Sequence, residues 1–328
     1  MFLEILVAAI IGILAGILTG LFPGIHVNLV AVAILASAPF LLQYFPAIII
    51  ASFLVAMAIV HTFLDTIPAI FLGVPEEETA LSILPGHEML LKGKGYEAIR
   101  LTVIGSLFGI FIILFISPLY LLFLPKYYPA FQNGMAYILI AVSAFLILRD
   151  DKKLFSFILF MLSGILGIFA LSLTAINQPL FPLLSGLFGS SLLTISFLKR
   201  VKIPKQNFKV EKRVKGTFHA LFASIISGSL VSFLPGLGAS QGAVIGSSFT
   251  KLNRKAFLIL LGAISTITMG LGFTALYAIS RPRHGVAVAI GKLPRVFHLK
   301  PFALAACSDV VCWRAFSLSH TCICKTLC

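Results

Sequence analysis

Residues 5–64 contain no Asp, Glu, Lys or Arg, and neither do 154–198, 216–250 or 256–280. These uncharged apolar runs restrict the fold more than any other feature. About 18–20 such residues already cross a bilayer as a helix, so the longer runs must hold more than one crossing. The chain is 59% hydrophobic and 11% charged, with a mean hydropathy of +1.07, which excludes an ordinary soluble domain. We expect an all-α polytopic integral membrane protein with about 8–10 spanning or re-entrant helices, multi-pass in the cell membrane. Met1–Leu21 has no basic start and runs on without a small-residue cleavage site, so it does not read as a signal peptide.

Within these runs one dipeptide occurs twice in matching context. Gly16-Ile-Leu-Thr-Gly-Leu-Phe-Pro23-Gly24 is followed by Ile-His26-Val-Asn28, and Gly228-Ser-Leu-Val-Ser-Phe-Leu-Pro235-Gly236 by Leu-Gly238-Ala-Ser240-Gln241. The offset between the two copies is 212 residues. Proline removes a backbone donor and glycine opens conformations that a helix does not use, so both sites predict broken helices. At membrane depth such breaks are tolerated only where the freed backbone faces protein or water, and a matched pair in two halves points to a transporter's binding site.

Taken in order, Glu4–Phe22 predicts the first span, with Gly12, Gly16 and Gly20 on one close-packing face. Val27–Leu42 is a shorter apolar segment and Pro46–Leu64 the next span. Asp65–Gly95 is cut by Pro68, Gly73, Pro75, Pro85 and Gly86 into pieces too short to cross; we read a re-entrant hairpin with Pro75 to Thr79 at its tip. An extramembrane acidic loop is the alternative. Spans follow at 99–124, 134–148, 154–173 and 178–198, then 217–250 around the second break, then Ala256–Ser280.

The net charge of +14 sits in the connectors, where it favours anionic headgroups rather than nucleic acid. Lys92, Lys94 and Arg100, then Arg149, Lys152 and Lys153, then the basic loop 199–215 would share one side, against Lys126 alone on the other. The positive-inside bias makes the basic side cytoplasmic. The organisation expected is a first membrane repeat with connecting helices at 1–198, a basic loop at 199–216, a second and incomplete repeat at 217–300, and a tail at 301–328. All five cysteines lie in that tail, at Cys307, Cys312, Cys322, Cys324 and Cys328. The abrupt change of composition suggests a non-native end. Cys322-Ile-Cys324 lacks the usual zinc-ligand gap.

Gly16-x₃-Gly20-x₂-Pro23-Gly24, Gly73-x-Pro75-x₃-Thr79, Pro85-Gly86-His87-x-Met89-x₂-Lys92-Gly93 and Leu234-Pro235-Gly236-Leu-Gly238-Ala, in this order, resemble the large permease subunit of tripartite tricarboxylate transporters, TctA-type, and most of all its shorter archaeal relatives. The resemblance implies an integral membrane carrier of organic anions driven by an ion gradient. It also implies a small membrane subunit and an extracytoplasmic binding protein as partners. Bacterial members usually have small residues in place of His26 and Asn28, and lack an acidic run like Glu76–Glu78.

Each break should aim the N-terminus of a half-helix, with its unpaired amides and dipole, at an anion such as a carboxylate. Pro23, Gly24, His26, Asn28, Pro235, Gly236, Gly238, Ser240 and Gln241 are therefore candidate substrate-binding residues, with Pro75 and Thr79 from the hairpin tip. Helix capping is the plain alternative for the polar ones. His61 and Asp65 are four apart on one helical face, and Asp65 and Glu78 are candidate groups for a coupling Na⁺ or proton. No other cofactor is expected. The rival readings are a channel or lipid-handling membrane protein and an intramembrane hydrolase; for the last, neither a His-Glu-x-x-His spacing nor a base for Ser240 is present.

Overall fold

A computed structural model describes residues 1–22, 25–72, 80–173, 183, 194, 203–209, 214–234, 236–250 and 252–293. Among them all regular structure is helical. In chain order the helices are α1 (Phe2–Leu21), α2 (Val27–Ala36), α3 (Ala38–Tyr44), α4 (Ala47–Leu64), α5 (Thr66–Leu72), α6 (Ala80–Leu91), α7 (Gly95–Arg149), α8 (Lys153–Ser172), α9 (Thr217–Phe233), α10 (Ala239–Phe249), α11 (Arg254–Ile279) and α12 (Gly285–Lys292). Five described spans are long and apolar enough to cross a bilayer, α4 and α5 counting together as one, and the α2–α3 pair makes a sixth if counted as one broken span. Leu, Ile and Phe side chains stand exposed along α1, α7 and α8. Such faces are costly in water and suited to lipid.

The expected glycine face of α1 lies against α4. A Cβ added at Gly16 would sit 2.6 Å from the Met57 carbonyl oxygen, and one at Gly20 2.7 Å from Leu64 Cβ. The contacts advance together along both helices, so α1 and α4 run parallel. Gly105, Gly109, Gly262 and Gly270 bring α7 and α11 together in the same way, also in parallel. A Cβ on Gly262 would collide with the Thr102 carbonyl oxygen. α9 lies parallel to α11 too, with Gly216 beside Ala256 and Gly228 beside Ile267. Between the two groups the sense reverses. Thr66 pairs with Thr102 (3.2 Å) while Ser106 donates to the Thr62 carbonyl (3.4 Å), so the α4–α5 span runs counter to α7 and hence to α9 and α11.

The repeat read from the two Pro-Gly pairs is therefore structural. α1, α2 and α4 recur as α9, α10 and α11 at the 212-residue offset, and the two copies are inverted. α11 is the central helix, buried along nearly its whole length. Hydrophobic attraction between helices is weak in lipid, so small residues and interhelical hydrogen bonds carry the association. Thr62–Thr266 (2.9 Å), Thr66–Thr102 and Ser106 to the Gly262 carbonyl (3.1 Å) form a buried hydroxyl ladder across α4, α5, α7 and α11.

Three expectations need correction. Spans 99–124 and 134–148 are one helix, α7, whose 55 residues reach about 80 Å. Pro118, Pro125 and Pro129 remove one bond each without ending it, because the residues around them are helix-competent and no glycine intervenes before Gly134. Arg149–Lys153 thus lies far from Lys92–Arg100 instead of beside it. Val27–Leu42 is not one segment: α2 and α3 meet at 73° where Pro39 enters α3. Past Ser280 the chain turns back into α12, which packs on α2 and α4. The expected span 178–198 lies outside the described residues except for Leu183 and Thr194, and the tail lies outside them altogether.

α5 and α6 form the arms of the predicted hairpin. His87 Nδ1 donates to the Ile70 carbonyl at 2.8 Å, and Gly86 leaves room for the Ile70 side chain. The chain at 203–209 straps this hairpin down: Gln206 accepts from Gly95 N–H (2.8 Å) and donates to the Leu90 carbonyl (3.1 Å), while Asn207 N–H reaches the Gly93 carbonyl (2.7 Å). Glu88 bridges Lys92 (2.6 Å) and Arg254 (2.5 Å), and buried Glu97 pairs with Lys255 (2.8 Å). Lys92, Lys94, Lys205, Lys209, Lys215, Arg254 and Lys255 consequently gather at one end of the bundle.

Candidate functional site

The two breaks are built alike. α1 ends at Leu21, and the extended Phe22 returns its N–H to the Leu18 carbonyl. α9 ends at Phe233, and the extended Leu234 returns its N–H to the Leu230 carbonyl, the residue 212 positions on from Leu18. The next helices start at Val27 and Ala239, again 212 apart. Gly236 has φ of 76°, the left-handed region that glycine adopts without penalty. Pro23, Gly24 and Pro235 themselves lie outside the described residues, as do Pro75, Glu78 and Thr79.

The polar residues after the breaks work largely as caps. His26 Nδ1 accepts from Asn28 N–H at 3.2 Å, so neutral His26 holds its proton on Nε2. Gln241 Oε1 accepts from Gly238 N–H at 2.9 Å. Asn28 is exposed and lies against Gly285, where a Cβ would come within 2.6 Å of its Oδ1. Ser240 is half-buried in the first turn of α10.

His61 and Asp65 are both deeply buried, at 1% and 2% exposure. Thr19 donates its hydroxyl to the Gly16 carbonyl (3.2 Å) and accepts from His61 Nδ1 (3.2 Å). That leaves His61 Nε2 as a buried lone pair with no hydrogen-bond partner among the described residues. The His26 ring stands edge-on to His61 with centroids 5.0 Å apart.

The residues between α11 and α12 were missed as site candidates. Ser280 ends α11 in the left-handed region, at φ of 53°, and the chain doubles back along it. His284 caps α12 by accepting from Ala287 N–H (3.2 Å), and its Nε2 donates to the Met269 carbonyl (3.2 Å), halfway along α11. Gly285 touches Asn28 beyond the first break, and Arg283 Nη2 donates to the Val231 carbonyl (3.2 Å) just before the second. Residues 283–285 thus join the two breaks at mid-bundle. The signal available in the sequence was a short cationic cluster lodged between two apolar segments.

Beside Arg283, Tyr120 donates its hydroxyl to the Ser229 carbonyl and lies 2.6 Å from Ser232 Oγ. No group of three or more metal-type ligands occurs among the described residues. The arrangement suits a ligand held by backbone amides, neutral imidazoles and one guanidinium.

Comparison with known proteins returns two findings. Residues 6–308 match the family described as Tripartite tricarboxylate transporter TctA family. Over 292 residues the chain is 36% identical to the uncharacterized protein MJ1079 of the archaeon Methanocaldococcus jannaschii, covering 86% of this chain and 71% of that protein. No solved structure matches.

Proposed function

The chain belongs to the tripartite tricarboxylate transporter TctA family, and from that premise we propose that it is a membrane permease for an organic anion of the carboxylate class, driven by an ion gradient. Membership of a transporter family makes it a component of a transport system, and its apolar helices suit a membrane. The observation that carries the finer reading is the pair of matched, inverted helix breaks joined by residues 283–285. Inverted repeats with broken helices meeting near the midplane are the architecture through which secondary carriers alternate access to a fixed site.

In this reading the half-helix starts at Val27 and Ala239, with the backbone around Gly236 and Gly238, receive the carboxylate. Asp65, one turn from His61, is the proposed coupling group for Na⁺ or a proton, and Glu78, Pro75 and Thr79 are proposed contributors from the hairpin tip. A small membrane subunit and an extracytoplasmic binding protein are the partners that the family name's three-part system suggests, and the cell membrane is the proposed location.

Reconstituted protein should accumulate a radiolabelled carboxylate saturably, and only when a Na⁺ or a proton gradient is imposed. A panel of mono-, di- and tricarboxylates, with each gradient applied separately, tests this. Non-saturable flux that ignores both gradients would indicate a channel and overturn the reading.

A further inference from the structure

We propose that Arg283 is the counter-charge for the transported anion, contributed to the site by the segment that links the two breaks. The inference rests on the carboxylate-permease reading and names the residue that would give that site its charge.

The argument begins at the second break. In an unbroken helix the N–H of residue 235 would bond the carbonyl of residue 231. Proline at 235 has no N–H, so the Val231 carbonyl loses its partner. Arg283 Nη2 fills that vacancy at 3.2 Å. The same contact fixes the guanidinium beside the break.

Capping one carbonyl does not need a guanidinium. Arginine carries five donors and a charge that persists at any accessible pH. Among the described residues the buried Arg283 Nε has no hydrogen-bond partner and no carboxylate pairs with this side chain. Its neighbours in electrostatic range include Tyr120, Tyr128 and His284. A cation at bundle depth without an acid is costly and marks a functional position. Arg283 immediately precedes His284 and Gly285, the residues that lie against α11 and Asn28. An anion entering between the breaks would therefore meet a planar fork of donors suited to a carboxylate.

The test uses full-length protein in detergent, titrated calorimetrically with succinate, citrate and sulfate. Arg283→Gln keeps a donor for the Val231 carbonyl and removes the charge; Arg283→Lys keeps the charge and loses the fork. Arg283→Gln should melt with wild type and bind carboxylate about 10- to 100-fold more weakly, while Arg283→Lys should stay within about tenfold of wild type. Equal carboxylate binding by wild type and Arg283→Gln would overturn the inference and leave the permease proposal standing. Sulfate binding that depends on Arg283, with no carboxylate bound, would support the anion site and overturn the carboxylate reading. Wild type that binds none of the three would overturn both.

Discussion

Two glycines show how differently the same residue can be required. Gly236 has φ of 76° and nothing within 4 Å of the place where a Cβ would go. Gly236→Ala should therefore cost only backbone strain, about 1–2 kcal/mol. At Gly262 the backbone is ordinary helix, but an added Cβ would collide with the Thr102 carbonyl. Neither α7 nor α11 can yield there without breaking the hydroxyl ladder that holds them together. Gly262→Ala should cost about 3 kcal/mol, the upper end of overpacking. Thermal melts of the two variants in one detergent check the order; a larger loss at Gly236 would contradict it. Histidine, too, divides by environment. His26 and His284 both serve as caps, whereas His61 offers a buried lone pair.

At the scale of elements, the α5–α6 hairpin is held by contacts that depend on charge. Hydrogen bonds from Lys92 and then Arg254, together with their positive fields, hold the Glu88 carboxyl below its ordinary range. A carboxylate with a lowered folded-state pKa stabilises the fold above its ordinary pKa, and that contribution fades as pH falls through the lowered one. Acidification should loosen the hairpin from α11 in wild type. In Glu88→Gln the link is weakened at every pH, so the variant should melt lower at neutral pH and lose less on acidification. Melting wild type and variant at pH 7 and near pH 3.5 gives the comparison; identical pH dependence in both would remove Glu88 from the account. Because all these groups are well exposed, the effect should shrink as salt is added.

For the molecule as a whole, orientation follows from where the cations collect. The strap at 203–209, the α6–α7 turn and the start of α11 share one end. α4 runs from the opposite end toward it, so Tyr44, just before α4 and 65% exposed, lies at the far end. By the positive-inside bias the cationic end is the one expected to face the cytoplasm. In a background without the native cysteines, Tyr44→Cys should react with an impermeant thiol reagent on intact cells, and Asn207→Cys only after permeabilisation. The reverse pattern would invert the assignment.

Local chemistry determined a good deal. Uncharged runs too long for one crossing required membrane helices, and the repeated Pro-Gly pair located both breaks and the internal repeat, because a missing donor and a permissive φ act within a few residues. The glycine spacing of α1 likewise announced a close partner. Only the tertiary structure decided which helix that partner was. The inversion of the repeats depends on the direction in which α4 meets α7, a relation between segments that no local pattern encodes. The same holds for Arg283: it reads as the edge of a polar connector until Ser280 turns the chain back and lays it between breaks that are 212 residues apart in sequence. Continuity of α7 was also hidden, since three prolines look like a boundary when each is judged by its own lost bond, yet 55 residues of surrounding helix outweigh them.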